Sequence, residues 1–232
     1  MYTLGVDIGS TTSKCVILED GKKVIASSIV TAGTGTNGPD KSRKEVLEKS
    51  GLKQDDLNYV VVTGYGRSTY TYADAEISEL TCHALGVQHV FPDARTIIDI
   101  GGQDAKVLSL NEKGRMVNFL MNDKCAAGTG RFLDVMARIL QLDIGDLEVK
   151  AAAAKHPVKI SSTCTVFAES EVISQLAAGV ELNDLVAGIC SSVASRVASL
   201  AKRIGIREKV CMSGGVARNG GVRNAMSKEL GV

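Results

Sequence analysis

The sequence predicts an α/β fold built from two copies of one unit, and two observations support this prediction. A strand-like segment ends in Asp-Ile-Gly at Asp7 and again at Asp99. The same offset of 92 positions aligns a series of identical residues, namely Asp7, Ile8, Gly9, Lys14 and Leu18 with Asp99, Ile100, Gly101, Lys106 and Leu110. Because so dense a match at one spacing indicates an internal repeat, we expect each copy to be a three-stranded β-meander followed by a helix.

The length and composition favour a soluble protein of two domains. The 232 residues suffice for two ordinary domains, which we place at residues 1–94 and 95–232. Lys plus Arg (27) nearly equals Asp plus Glu (26), and aromatic residues make up only 4%, so we expect neither nucleic acid nor a membrane as a partner. The N-terminus runs directly into a strand and no uninterrupted apolar run approaches about 18 residues, so we expect a cytoplasmic protein without a signal peptide.

The first copy begins with alternating apolar residues, which indicate strands, and its turn contains Asp20-Gly21. The predicted strands are residues 2–7, 15–18, 24–30 and 59–63, and the predicted helices are residues 42–49 and 77–85. Residues 31–38 and 64–67 are rich in glycine and are predicted to be loops.

The second copy has strand segments within residues 95–110 and at 116–121, and is more helical. Apolar residues recur at helical spacing from Phe132 to Leu140, and Pro157 is expected to end a later helix. The predicted helices are residues 131–140, 144–155, 168–177, 182–204 and 222–230, with a strand at 210–212. A further strand is expected after Gly231, which suggests a truncated C-terminal end.

Two Asp-Ile-Gly turns at strand ends suit phosphate binding. Glycine lets backbone amides approach an anion, hydroxyl groups follow in the first copy, and an aspartate at each strand end can hold magnesium through water. A third loop (Ser213, Gly214, Gly215, Val216, Ala217) leaves room for a base and ribose, because a Cβ at its glycines would crowd them. Ordinary tight turns are the alternative, which the duplication makes less favourable.

Six cysteines are present and none lies in a CxxC pair, which argues against a zinc ribbon and against a secreted disulfide framework. Cys125 and Cys164 each precede a predicted helix, whose dipole favours a thiolate. A four-thiolate iron–sulfur cluster could take two ligands from each of two copies across a two-fold axis. A disulfide, a zinc site or plain packing remain alternatives. Core packing fits the buried candidates Cys15, Cys190 and Cys211, and the neighbours Cys82 and His83 point apart on a helix.

The three loops resemble those of the superfamily of sugar kinases, heat-shock-70 proteins and actin. The resemblance implies an actin-like ATPase fold, with duplicated ribonuclease-H-like domains and ATP or ADP in the cleft between them. It implies that Asp7 and Asp99 serve the magnesium and that Gln103 or Asp104 orients the attacking water. The implied phosphate-binding residues are Gly9, Ser10, Thr11, Thr12, Gly101, Gly102 and Gln103, with Lys14 and Lys106 as phosphate partners or structural lysines.

A closer resemblance rests on residues 121–134 (MNDKCAAGTGRFLD) and 161–171 (SSTCTVFAESE). Both segments resemble the archerase-type activators of 2-hydroxyacyl-CoA dehydratases, in the BadF/BadG/BcrA/BcrD ATPase family. The resemblance implies a homodimer with one [4Fe–4S] cluster, whose ligands here are Cys125 and Cys164. It also implies that a reduced ferredoxin or flavodoxin supplies an electron, which ATP hydrolysis drives into the dehydratase.

The turn of Gly128, Thr129 and Gly130 is predicted to flex beside the nucleotide and to couple it to the cluster through a helix that begins at Gly128. Three other functions stay open at this point. One is the ATPase subunit of a benzoyl-CoA reductase-type enzyme, and another is a small-molecule kinase of the same fold without iron. The third is an ATP-gated interaction module similar to heat-shock-70 proteins.

Overall fold

A computed structural model of the chain describes residues 1–161 and 164–232. Its strands are β1 (Tyr2–Ile8), β2 (Ser13–Glu19), β3 (Lys23–Val30), β4 (Leu57–Thr63), β5 (Ala75–Glu76), β6 (Thr96–Ile100), β7 (Ala105–Leu110), β8 (Met116–Asn122) and β9 (Val210–Ser213). Its α-helices are α1 (Gly38–Ser50), α2 (Glu79–Val90), α3 (Gly130–Ile139), α4 (Asp146–Ala152), α5 (Thr165–Ala177), α6 (Leu182–Ile204) and α7 (Gly220–Leu230).

The chain divides into two compact units, Met1–His83 and Ala84–Val232, and the division falls within α2. We call them unit 1 and unit 2. The domain boundary between residues 94 and 95 stays a prediction.

Unit 1 holds a five-stranded sheet with the order β3-β2-β1-β4-β5, in which β1, β2 and β3 form an antiparallel meander and β4 runs parallel to β1. Alternate residues of β1 and β2 bury one face of this sheet, including Leu4, Val6 and Ile17. Helix α1 covers that face with Val46, which is fully buried. The alternation predicted for a half-buried strand therefore builds the core of this unit.

Unit 2 holds a four-stranded sheet with the order β8-β7-β6-β9. Both β6 and β7 are buried along their whole length. One large core cluster joins Ile98 and Val107 of these strands to side chains of α3, α5, α6 and α7. Helix α6 has the bounds predicted from its small and apolar residues.

The internal repeat is present in the strand pairing as well as in the sequence. Asp7 lies opposite Lys14 in unit 1, and Asp99 lies opposite Lys106 in unit 2. The ladder between the second and third strands has a register shift after Ile17 in one unit and after Ser109 in the other, again 92 positions apart. A later strand runs parallel to the first strand in both units. The predicted duplicated α/β fold is confirmed.

Several helix ends differ from the predictions. Helix α2 is Glu79–Val90 rather than residues 77–85, and α5 begins at Thr165 rather than Ala168. Helix α4 ends at Ala152, short of the predicted Lys155. There the amides of Lys155 and His156 donate to Asp184 Oδ1 at 2.7 and 2.8 Å, so a side chain of α6 takes the donors that a longer helix would use.

Helix α6 is long and apolar enough to cross a membrane by length and composition. The sequence analysis considered only uninterrupted apolar runs, and this helix contains polar residues between its apolar ones. In the structure 72% of the most apolar stretch of this helix is buried. Leu185, Ile189 and Val193 of the helix belong to the unit 2 core. The helix is therefore an element of that core.

Candidate functional site

The first of the two loops predicted to bind phosphate, residues 9–12, is a tight turn between β1 and β2, and we call it the first phosphate loop after that prediction. The amide of Gly9 donates to the carbonyl of Thr12 at 3.0 Å and closes the turn. The amide of Thr34 donates to the carbonyl of Gly9 at 2.9 Å, so the glycine-rich loop after β3 braces it from outside. A Cβ on Gly33 would overlap the backbone of Ser10, which explains the glycine at that position.

The second loop predicted to bind phosphate, residues 101–104, is called the second phosphate loop here. It closes in the same way, because the amide of Gly101 donates to the carbonyl of Asp104 at 2.9 Å. The carbonyls of Gly101 and Gly102 accept from the amides of Gly130 and Arg131 at 2.9 and 2.7 Å. The first residues of α3 are thus hydrogen-bonded to the loop. A nucleotide that moved this loop would move the start of α3.

The helix that follows the cysteine loop begins at Gly130, not at Gly128 as predicted. Gly128 has a left-handed backbone, with φ 86°, and precedes the helix. Thr129 is fully buried, and its hydroxyl donates to the carbonyl of Ala126 at 2.7 Å. Thr129 and Gly130 therefore brace the loop, and their contact with a nucleotide stays a prediction.

Both strand-end aspartates pair with the lysine opposite, but in different surroundings. In unit 1, Lys14 Nζ lies 2.8 Å from Asp7 Oδ2, and the two side chains are 42% and 40% exposed. In unit 2, Lys106 Nζ lies 3.7 Å from Asp99 Oδ2 and also pairs with Asp104 Oδ2, and all three side chains are at most 10% exposed. Asp7 is accessible to a metal ion, whereas Asp99 is enclosed in a buried charge cluster.

The structure separates the two candidates for the water-orienting residue. Asp104 is 5% exposed and is held by Lys106, so its carboxylate already has a structural partner. Gln103 is exposed in the turn between Gly102 and Asp104. Gln103 is therefore the better placed of the two to reach a bound water.

The third loop begins at Ser213, whose hydroxyl donates to Asp99 Oδ1 at 3.2 Å. Gly214 has φ 84°, and a Cβ there would lie 2.7 Å from Asp99 Oδ1. The Cβ would therefore meet the protein itself, not a base as the sequence predicted. At Gly215 nothing lies within 4 Å of a Cβ, which leaves open space at that residue. The buried Val216 and the half-buried Ala217 follow.

The two predicted cluster ligands are free thiols that are half-buried. Cys125 lies in the loop five residues before α3, rather than directly at the helix, and its carbonyl accepts from Asn122 Nδ2 at 2.9 Å. Cys164 is the residue before α5 and has an extended backbone. Helices α3 and α5 pack against each other. Ser162 and Thr163 of the predicted motif lie outside the described residues.

The other cysteines differ in burial. Burial raises the pKa of the Cys15 and Cys211 thiols and raises that of Cys190 to about 12. Cys15 and Cys190 belong to the cores of their units, as predicted. Within residues 1–161 and 164–232 no three metal-ligating side chains of the His, Cys, Asp or Glu type lie together.

The sequence analysis predicted a loop at residues 64–67, after β4, but assigned it no functional role. In the parallel registers Thr63 lies beside Asp7 as Ser213 lies beside Asp99. The signal was present, because a hydroxyl residue followed by glycine ends both strands.

A model of the BadF/BadG/BcrA/BcrD ATPase family matches residues 4–232. The chain belongs to this family. It is 58% identical over 230 residues to the 2-hydroxyisocaproyl-CoA dehydratase activator of Clostridioides difficile, covering 99% of this chain and 86% of that protein. It is 57% identical over 233 residues to the (R)-2-hydroxyglutaryl-CoA dehydratase activating ATPase of Acidaminococcus fermentans, covering 100% of this chain and 89% of that protein.

The structural comparison agrees. The activator of the 2-hydroxyisocaproyl-CoA dehydratase from Clostridium difficile, solved with bound ADPNP, has a TM-score of 0.96 at 57% identity, and the match covers 100% of this chain and 87% of that one. The family, the fold and the enzyme class predicted from the sequence, an ATPase, are confirmed.

Proposed function

We propose that this protein is the ATP-dependent activator of a 2-hydroxyacyl-CoA dehydratase, to which it passes one electron. The observation that carries the proposal is the linkage inside unit 2. The loop of Cys125 leads into α3, whose first amides are hydrogen-bonded to the second phosphate loop at Gly101 and Gly102. A candidate ligand site and a candidate nucleotide site thus share one short segment. The full-length similarity to dehydratase activators supports this function over the kinase, the reductase subunit and the interaction module.

The nucleotide part of the proposal rests on the two closed turns and their aspartates. Amides and hydroxyl groups of residues 9–12 would bind phosphate oxygens, and Asp7, whose side chain is 40% exposed, would hold a magnesium-bound water. The exposed Gln103 would orient the attacking water. The enclosed cluster of Asp99, Lys106 and Asp104 would keep the second loop in shape.

The donor set of Cys125 and Cys164 fits a [4Fe–4S] cluster, since thiolates are its usual ligands and both cysteines are free and partly exposed. Within the described residues no three side chains of His, Cys, Asp or Glu lie close enough together to hold a metal ion. A cluster with four thiolate ligands would therefore take two cysteines from each of two copies of the chain. We therefore propose a homodimer with a shared cluster. When bound, the cluster supplies one-electron transfer, with reduced ferredoxin or flavodoxin as the donor. Because ferredoxin and flavodoxin are the proposed electron donors, we also propose that the protein is cytoplasmic.

The chain itself would couple the two sites through backbone contacts. Gly128 and Gly130 flank Thr129, which is locked to Ala126 by its buried hydroxyl. Asn122 holds the carbonyls of Cys125 and Ala127 at 2.9 and 3.1 Å. A change at the second phosphate loop would therefore pass to Cys125 through a braced segment.

The test is iron content and visible absorption of the anaerobically reconstituted protein, with ATPase activity measured in parallel. We expect a brown dimer, loss of iron in Cys125→Ser and Cys164→Ser, and full iron in the control Cys82→Ser, which changes a half-buried cysteine of unit 1 that is not a proposed iron ligand. A colourless wild-type dimer after reconstitution contradicts the cluster. Unchanged ATP turnover in Asp7→Ala contradicts the role of Asp7.

A further inference from the structure

The loop of residues 63–67, after β4, has the same backbone construction as the nucleotide loop after β9. A glycine with a left-handed backbone follows each strand, at Gly64 with φ 90° and at Gly214 with φ 84°. A Cβ at Gly64 would lie 2.6 Å from Asp7 Oδ1, and one at Gly214 would lie 2.7 Å from Asp99 Oδ1. Each loop therefore turns directly against the carboxylate at the end of the neighbouring strand.

The loop after β4 also lies beside the first phosphate loop. The amide of Gly66 donates to the carbonyl of Ile8 at 3.0 Å, and Ile8 directly precedes Gly9. A short 3₁₀ helix, Arg67–Thr69, follows in unit 1, as Gly215–Arg218 follows in unit 2. The contacts hold the first residue of this helix, Arg67, close to the turn proposed to bind phosphate.

The hydroxyl group that begins each loop differs in its hydrogen bonding between the two units. Ser213 donates to Asp99 in unit 2. Thr63 Oγ1 is buried and has no hydrogen-bond partner among the described residues. Because buried polar atoms are nearly always hydrogen-bonded, we expect a bound ligand or water to form a hydrogen bond with this hydroxyl. Thr63, Asp7 and Lys14 line one cavity of unit 1, of about 370 Å³.

Arg67 ends this loop and is not among the residues that line the cavity. Its guanidinium donates from Nη1 to the carbonyl of Gly64 at 3.1 Å, and the residue is half-buried. Within residues 1–161 and 164–232 no carboxylate lies in ion-pair distance of Arg67. A guanidinium carries five N–H donors and pairs well with phosphate oxygens. A cation held against a neutral carbonyl, next to a phosphate loop, can accept an anion without breaking an ion pair.

We propose that residues 63–67 form a further phosphate-binding element of the nucleotide site, in which Arg67 binds the terminal phosphate of ATP and the Thr63 hydroxyl donates to the same phosphate or to its metal-bound water. The inference rests on the proposed function, since it presumes that the first phosphate loop binds ATP. It assigns to unit 1 a fourth nucleotide loop, in addition to the three that the sequence indicates.

The test is calorimetric binding of ATP and of ADP, each with magnesium, to the full chain. Arg67→Met should weaken ATP binding roughly tenfold to a hundredfold and ADP binding much less, because a charge-assisted hydrogen bond to the terminal phosphate is lost. Arg67→Lys should recover part of the ATP affinity, since it keeps the charge but not the fork of donors. Thr63→Val should reduce the ATP preference by a smaller factor while keeping the side-chain shape.

The control is Lys44→Met, which removes an exposed cation of α1 that pairs with Glu48 at 3.9 Å; it should leave both affinities unchanged. Equal losses of ATP and ADP affinity in Arg67→Met would show that Arg67 merely supports the loop, and unchanged affinities would show that it plays no part. Either result overturns the inference while the proposed function stands. Wild-type protein that binds neither nucleotide instead overturns the proposed function.

Discussion

Lys106→Met tests whether the charge cluster of the second phosphate loop is a structural element. Lys106 pairs with Asp99 and Asp104, and the three side chains are between 7% and 10% exposed. Removing the lysine takes this cation away from two carboxylates that lie in the interior. Breaking a buried ion pair by removal of one partner costs about 3–5 kcal/mol, which is the loss that we expect in the free energy of unfolding.

The duplication provides the matched control. Lys14→Met removes the equivalent lysine in unit 1, where Lys14 and Asp7 are 42% and 40% exposed and water screens the pair. An exposed pair contributes about 0–1 kcal/mol. The predicted difference between the two variants is therefore about 2–5 kcal/mol, taken from the ranges for buried and exposed pairs.

The assay is urea unfolding followed by far-ultraviolet circular dichroism, whose signal arises chiefly from the helices of unit 2. A second variant, Lys106→Met with Asp104→Asn, should recover part of the loss, because it removes one of the two uncompensated charges. If Lys106→Met and Lys14→Met destabilise by the same amount to within about 1 kcal/mol, burial does not govern these pairs and the reasoning fails.

Two further predictions concern a turn and a thiol. Gly214→Ala should destabilise by about 1–3 kcal/mol in urea, because φ is 84° and the Cβ would overlap the backbone carbonyl oxygen of Ile100 and lie 2.7 Å from Asp99 Oδ1. Gly215→Ala, in open space, should change stability by less than about 0.5 kcal/mol. Equal effects of the two changes would contradict the account of the turn. Burial raises the pKa of Cys190 to about 12, so iodoacetamide at about pH 8 should leave Cys190 unmodified in the folded, iron-free protein and should modify Cys125, as measured by mass spectrometry. Labelling of Cys190 should rise as the pH approaches that pKa. Rapid labelling of Cys190 at about pH 8 would contradict its burial.

Sequence reasoning predicted the two tight turns after β1 and β6 because their geometry is local, and their binding of phosphate stays a prediction. The turn at Gly9 and the turn at Gly101 each close with a hydrogen bond across three residues, and the repeat of Asp-Ile-Gly marks both. Alternating apolar residues likewise predicted the meanders. The repeated Thr-Gly and Ser-Gly at the ends of β4 and β9 show the same repeat, although the sequence analysis gave the loop after β4 no role.

The candidate site was predicted less completely where roles depend on packing. Asp104 was proposed to orient water, but the strand pairing that brings Lys106 beside it makes it a buried ion-pair partner. Gly214 was assigned to the nucleotide, although a Cβ there would already overlap the backbone of Ile100 and the carboxylate of Asp99. Cys125 was placed directly before a helix, but a turn through Gly128 intervenes.

The sequence by itself determined the family and the duplicated α/β fold, and it supplied the loops proposed to bind phosphate and the two cysteines proposed as ligands. Each of these follows from short patterns of glycine, aspartate, cysteine and alternating apolar residues. Only the tertiary structure decided that the Asp7 pair is open and the Asp99 pair enclosed, that α3 is hydrogen-bonded to the second phosphate loop, and that Arg67 lies beside the first. Burial and partner choice depend on elements that are distant in the chain, and equal residues in the two repeats therefore acquire different roles.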